Sequence, residues 1–267
     1  KSQSDPELLF ALGTSGIWRS NNFGESWNLI PIADSVWYSG KYYQSAQAEI
    51  SIADPQIVWA GIYMSQNGRI HLSTDGGFTF NPASEYDKAE MGRLTGFDSH
   101  PQEPNTGYAI FSAPNKPKIL KTTDLGQSWN DITGFEEGDV SKNGFPDVVT
   151  YCVLVMPFNN DILWAGTEIG LFESTDGGEN WHLADNGLPR VSIWQMRIVN
   201  DHIVAATHGR GIWSVQLPAL ADYEPPKTVL APVVQRAGEA PSGKVALETN
   251  FRSEYDSLHI ILNGDIF

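Results

Sequence analysis

Cysteine is all but missing. Cys152 is the single one in 267 residues, so no intrachain disulfide can staple this chain. Its setting in the run Tyr151-Cys152-Val153-Leu154-Val155-Met156 reads as a small buried hydrophobe. Long apolar runs are missing too: none approaches the roughly twenty residues that cross a bilayer, which excludes a helical membrane span. No basic-then-apolar leader opens the chain at Lys1, so an export signal is expected upstream. Positive charge is scarce. Seventeen Lys and Arg stand against 32 Asp and Glu, a net charge of −15, which repels a phosphate backbone and excludes nucleic acid as a partner. Charged residues make up only 18% of the chain, while it holds 25 Gly, 16 Pro and 9 Trp. That is the composition of many short strands joined by tight turns, so the expected class is all-β.

Self-comparison finds a repeat. The octet Ser73-Thr74-Asp75-Gly76-Gly77-Phe78-Thr79-Phe80 returns as Thr122-Thr123-Asp124-Leu125-Gly126-Gln127-Ser128-Trp129 and as Ser174-Thr175-Asp176-Gly177-Gly178-Glu179-Asn180-Trp181. An earlier copy, Ser20-Asn21-Asn22-Phe23-Gly24-Glu25-Ser26-Trp27, carries Asn for Asp. The third positions, 22, 75, 124 and 176, are spaced by 53, 49 and 52 residues, the length of a four-stranded blade with its loops. Each copy makes physical sense as a hairpin turn. The Asp or Asn side chain caps backbone N–H groups, glycine takes a positive φ and the aromatic packs between sheets. The capping residues are thus Ser20, Asn22 and Gly24, then Ser73, Asp75 and Gly77, Thr122, Asp124 and Gly126, and Ser174, Asp176 and Gly178. Trp27, Phe80, Trp129 and Trp181 are expected at equivalent buried positions. Strands A, B, C and D, counted from inside outwards, read in the third copy as Leu94 to Phe97, Gly107 to Phe111, Lys118 to Thr122 and Ser128 to Ile132.

These residues resemble the Asp-box (bacterial neuraminidase repeat) β-propeller family, which includes sialidases, sortilin-type receptors and oligoxyloglucan-hydrolase propellers. The resemblance covers about residues 8 to 217 and is specific for fold, weak for function. It implies a ring of four-stranded blades of which this chain holds three full and two partial ones. Residues 8 to 30 supply B, C and D without A, whose place is expected before Lys1. At the far end Ser192 to Val199, His202 to Thr207 and Gly211 to Gln216 supply A, B and C without D, so an outer strand that does not follow in sequence is expected to complete that blade. The missing blades are expected from the same precursor or from another chain. The domain reading is propeller blades over 1–217, a proline-rich linker over 218–227, and over 228–267 the start of an immunoglobulin- or fibronectin-like β-sandwich with a tight turn at Asn263-Gly264.

Function is expected on the face opposite the Asp boxes, where D–A connections and B–C loops surround the channel mouth. The segment Val36 to Gln44 carries Trp37, Tyr38, Tyr42 and Tyr43, suited to stacking on sugars or to a protein contact. Tyr86 and Arg93 in one connection, Phe145 in another, and His208 and Arg210 in the last B–C loop complete the ligand-binding candidates. Glu49, Asp147 and Glu168 are the carboxylates to consider for glycoside hydrolysis, which needs two flanking one bond. Asp75, Asp124 and Asp176 are spent on their turns, so no metal is expected, structural calcium being the one cofactor they leave open. No context here resembles the arginine triad of sialidases, and no cysteine-rich module follows as in sortilin-type receptors. The reading is therefore an exported, bacterial, non-catalytic propeller that holds polysaccharide or protein, with a glycoside hydrolase whose active site lies partly elsewhere as the alternative.

Overall fold

The computed structural model describes residues 5–13, 15–32, 37, 46–65, 68–136, 138–185 and 187–224, and the backbone of 261–262 and 265–266. Its sheets follow one another as antiparallel blades. The first holds β1 (Leu9–Gly13), β2 (Gly16–Ser20) and β3 (Asn28–Pro31). The second runs β4 (Gln47–Ile50), β5 (Val58–Ser65), β6 (Gly68–Ser73) and β7 (Asn81–Pro82). The third runs β8 (Gly92–Ser99), β9 (Gly107–Phe111), β10 (Ile119–Thr122) and β11 (Asn130–Asp131), and a short pairing of β5 with β8, Tyr63↔Arg93 and Met64↔Gly92, joins it to the second. The fourth runs β12 (Thr150–Val155), β13 (Leu163–Thr167), β14 (Gly170–Ser174) and β15 (His182–Leu183). The fifth stops at three strands, β16 (Ile193–Val199), β17 (His202–Thr207) and β18 (Gly211–Gln216). This is a β-propeller. Every residue of β9 and of β13 is buried, because a middle strand has another blade on each face. That is why Gly107 to Phe111 and Leu163 to Thr167 read as unbroken apolar or small-residue runs.

All four Asp boxes close in one way. The Ser or Thr hydroxyl at the first position takes the N–H of the glycine four residues on, at 2.8 to 2.9 Å, for Ser20, Ser73, Thr122 and Ser174. The same hydroxyl donates to the third-position side chain, Asn22, Asp75, Asp124 or Asp176. That side chain in turn accepts the backbone N–H of Ser26, Thr79, Ser128 or Asn180. The fourth position lies in the left-handed region, at φ 57° for Phe23 and 60° for Leu125 against 71° for Gly76, a strain that the filled hydrogen bonds of the turn absorb. Asn22 replaces Asp without altering the scheme. A fifth turn of this kind, unread in the sequence, lies in the long connection between β11 and β12. There Ser141 Oγ takes the N–H groups of Asn143 and Phe145, and Asn143 Nδ2 donates to the carbonyls of Ile132 and Gly178.

The repeated aromatic decides how blades stack. Trp129 and Trp181 are each 5% exposed. Trp129 packs edge-on to Trp59 of the preceding blade and donates its Nε1 hydrogen to Ser84 O; Trp181 packs on Phe145 and donates to Ile132 O. Phe80 is half-buried against Phe10. Trp27 departs from the expectation of burial: it is 37% exposed and its Nε1 bonds within its own turn, to Gly24 O. The cause lies in its position. The aromatic always faces the blade before it, and among the described residues no blade precedes the first. Trp18 and Leu29, paired across β2 and β3 on that same face, are exposed as well.

After β18 the chain makes one 3-10 turn, Pro218–Leu220. Leu220, 1% exposed, and Tyr223 pack into the core between the fourth and fifth blades, so this part of the stretch read as a linker is docked. Among the described residues, 218–224 do not pair with β18. A separate ladder pairs β19 (Ile261–Leu262) with β20 (Asp265–Ile266); the turn expected at Asn263-Gly264 lies outside the described residues. Two substitutions separate a filled inter-blade slot from an open one. Trp181→Ala is expected to cost about 3 to 5 kcal/mol and Trp27→Ala less than about 1 kcal/mol, read as shifts in the urea unfolding midpoint at constant m. Equal costs would show that the two rings do the same job.

Candidate functional site

The inner strands β8, β12 and β16 share an irregularity that no residue pattern announces. Each carries one extra residue against its partner, Thr95 between Leu94 and Gly96, Tyr151 between Thr150 and Cys152, and Trp194 between Ile193 and Gln195. A bulge re-aims a side chain. These three lie at the B–C loop end of the inner strands, opposite the Asp boxes, around the channel mouth. Thr95 turns its hydroxyl to Thr150 O at 2.6 Å. Tyr151 and Trp194 come together, ring centroids 6.4 Å apart. Trp194 is 53% exposed and stacks flat on His208, at 4.9 Å and 14°. The His208 backbone N–H bonds Ser192 O, and Thr207 Oγ1 closes the loop on Gly211 O. The result is a step of three rings, Tyr151, Trp194 and His208, open to solvent at the mouth.

The candidates read from the sequence separate. His208 and Arg210 are exposed in the last B–C loop, and Arg93 is exposed at the start of β8. Three expected ligand rings are core instead. Trp37, 3% exposed, donates to Gly13 O and meets His71 edge-on; Tyr86 is 5% exposed between the second and third blades; Phe145, 3% exposed, packs on Phe172 and Trp181. Long connections carry aromatics here because they must cover blade edges, and the ring that covers is buried by doing so. Tyr38, Tyr42 and Tyr43 lie outside the described residues. Asp147 is engaged in structure: it accepts the Asn115 N–H and pairs with Lys118, whose ammonium is wholly buried beside the Phe135 ring. Burial works against the Asp147 charge, yet the bonds from Lys118 and Asn115 hold its carboxyl below the usual range. Glu168, exposed in the β13–β14 turn, accepts the Val149 N–H, and its carbonyl accepts the Ser192 hydroxyl. Of the three residues it is the one whose main chain is bonded to Ser192, next to the strand that carries Trp194.

Glu49 belongs to a second locus, deeper along the axis. Glu49, Asp98, Leu154 and Arg197 occupy one register level of β4, β8, β12 and β16, each paired to the same place in its neighbouring strand. Arg197 Nη1 lies 3.8 Å from Glu49 Oε1, Ser99 Oγ donates to that oxygen at 3.3 Å, and the Val153 N–H donates to Asp98 Oδ2 at 2.7 Å. Burial raises the Glu49 carboxyl above its ordinary range against the pull of Arg197. Burial and the charge of Glu49 push Asp98 up to about 8. Asp98 and Arg197 were not among the site residues expected from the sequence, nor were Trp194 and Tyr151. A signal existed for the first: counting back 26 residues from Asp75 and from Asp124 reaches Glu49 and Asp98. None existed for the bulged rings. Among the described residues no three His, Cys, Asp or Glu side chains cluster closely enough to hold a metal ion.

Residues 172–183 match the BNR/Asp-box repeat family. A probable oligoxyloglucan-reducing end-specific xyloglucanase of Neosartorya fischeri is 29% identical over 129 residues, 45% of this chain and 15% of that protein. The chain therefore spans a small part of that relative's length. Among solved structures the fold is similar to the GH74 xyloglucanase of Xanthomonas campestris (TM-score 0.55, 16% identity, covering 89% of this chain and 38% of that one). It is also similar to a GH74 enzyme of Niastella koreensis (0.56, 15%, covering 81% and 35%) and to YCF48 of Cyanidioschyzon merolae (0.53, 12%, covering 80% and 67%). At these identities the likeness is one of fold: an Asp-box β-propeller of the kind on which GH74 enzymes are built.

The axial cluster gives a pH dependence with a definite sign. A carboxyl whose folded pKa lies above its unfolded one binds more protons when folded, so its stabilisation is full in acid and is lost as pH rises. For Asp98 the loss runs from the ordinary carboxylate range up to about 8, with a slope of at most about 1.4 kcal/mol per pH unit for one proton. Asp98→Asn removes this component. Thermal unfolding from pH 5 to 9 is expected to fall less steeply for the variant than for the parent chain; parallel curves would exclude the assignment.

Proposed function

We propose that this chain is part of an extracellular β-propeller that holds an extended polysaccharide on the step of Tyr151, Trp194 and His208. The observation that carries this reading is the exposure of Trp194. A tryptophan on an inner strand, more than half open and already stacked on a histidine, is not filling a core. Its free face offers the flat apolar surface on which the C–H groups of a pyranose pack, while Glu168 and Arg210 at the rim supply polar partners for hydroxyls. Three rings in a row suit successive sugar units of a chain better than a single small molecule. The likeness to xyloglucan-acting proteins supports a glucan as the substrate class, and such polymers are met outside the cell.

A second reading, glycoside hydrolysis, is favoured by that same likeness. It requires two carboxyl groups about 5 to 9 Å apart across the bond. Of the three carboxylates considered, Glu49 is buried on the axis, Asp147 neutralises Lys118, and Glu168 alone adjoins the step. A hydrolase built on this chain therefore draws a second carboxylate from elsewhere.

Affinity gel electrophoresis in soluble xyloglucan distinguishes the readings. Trp194→Ala is expected to weaken retention about tenfold or more, since stacking side chains at the centre of a contact dominate its energy, with no change in melting temperature. Glu168→Gln is expected to leave retention within about twofold. Retention unchanged by Trp194→Ala removes the binding reading. Reducing-sugar release that is abolished in Glu168→Gln establishes the hydrolase.

A further inference from the structure

Tyr151 is held by three residues of the blade before its own. Thr95, Gly96 and Asp98 of β8 meet Thr150, Tyr151 and Val153 of β12, each facing the residue 55 places on. The Thr95 hydroxyl donates to Thr150 O at 2.6 Å, and the Val153 N–H donates to Asp98 Oδ2 at 2.7 Å. Between these two bonds the strands nearly touch: a Cβ built on Gly96 would stand 2.7 Å from Tyr151 O. A glycine inside a strand marks the close approach of another backbone, and here that backbone belongs to the bulged residue itself. Among the described residues β8 and β12 share no ladder, so two side chains do between these strands what main-chain bonds do within a blade.

The two bonds straddle the bulge. Tyr151 is the extra residue of β12, and a bulged residue is left unpaired by its own ladder. Its main chain is therefore set from outside, by Thr95 one residue before it and by Asp98 two residues after. On the other side β12 has weaker ties: the Cys152 thiol lies 3.9 Å from Ile193 O, and the Tyr151 ring meets Trp194 at 6.4 Å. The extra residues of β8, β12 and β16 are Thr95, Tyr151 and Trp194. At the same level of three neighbouring strands, one side chain holds the next strand's main chain while the other two present rings.

We propose that Thr95, together with Gly96 and Asp98, is a positioning element for glycan binding: it fixes the angle at which Tyr151 meets Trp194, and so sets affinity without touching the sugar. The role assigned to it rests on the step being a glycan-binding surface. A binding surface made of two rings from separate blades is effective only when both planes are held in place by the residues behind them. Trp194 is backed by His208. Tyr151 is backed by β8.

Affinity gel electrophoresis in soluble xyloglucan reads the effect, with circular dichroism confirming that each variant is folded at the running temperature. Thr95→Val keeps the shape and loses the donor, and retention is expected to fall about threefold or more. Thr95→Ser keeps the donor and is expected to stay within about twofold of the parent chain. In a Tyr151→Ala background the further change to Thr95→Val is expected to alter retention by less than about twofold, because the residue it acts through is gone. Equal losses in both backgrounds, or a Thr95→Ser chain as weak as the Thr95→Val chain, would make Thr95 a general prop between blades and overturn the proposal. Full retention by Thr95→Val where Trp194→Ala loses it overturns the positioning role alone. Retention indifferent to Trp194→Ala removes the binding reading and the positioning role together.

Discussion

One contact repeats through this molecule and the rest leans on it: an indole at the start of an outer strand, set between two blades, with its N–H given to a carbonyl of the blade before. Trp129 and Trp181 make it completely. The ring supplies apolar area that neither sheet could bury alone, and the N–H satisfies a carbonyl that would otherwise be covered without a partner. The Asp box exists to aim that ring. Its hydroxyl and carboxylate fix six or so residues of turn so that the aromatic leaves at a constant angle, whatever lies between. For Asp75 and Asp124 the bonds from Thr79 and Ser73, or from Ser128 and Thr122, outweigh the cost of partial burial and keep the carboxyl below its ordinary range.

Because the contact is directional, each blade has a front and a back, and the outermost described blades show which is which. Trp27, Trp18 and Leu29 are a front with no blade before it among the described residues. β18, with an apolar hollow beside Trp213, is a back without an outer strand among the described residues. Exposed apolar surface is costly for a molecule in water, and among the described residues it gathers on these two outermost faces while the faces between blades are buried.

The same geometry frees the inner strands for other work. Held from outside, β8, β12 and β16 tolerate a bulge at one level, and those bulges turn Thr95, Tyr151 and Trp194 toward the mouth. One level nearer the Asp boxes, the axis collects Glu49, Asp98 and Arg197 from separate blades. Glu49 is buried there while Arg197 keeps contact with water, and the two opposed charges face each other across the axis.

The sequence alone determined the class, the blade period, the Asp-box turns and the three strands of the last blade, because each rests on contacts a few residues apart: Ser174 to Gly178, Asp176 to Asn180, Thr207 to Gly211. It misjudged Trp37, Tyr86 and Phe145, since a loop rich in rings looks alike whether it covers a blade edge or faces a ligand. It passed over Trp194, whose strand reads as ordinary alternation until a partner strand shows the extra residue. A bulge shows only against a partner strand more than ten places away, as Ile193 and Gln195 show it against Thr207 and Ala206, and axial neighbours such as Glu49 and Arg197 lie farther apart still. Local propensity carries no record of such distances. Only the closing of sheet on sheet decides them, and with them which side chains are left over for function.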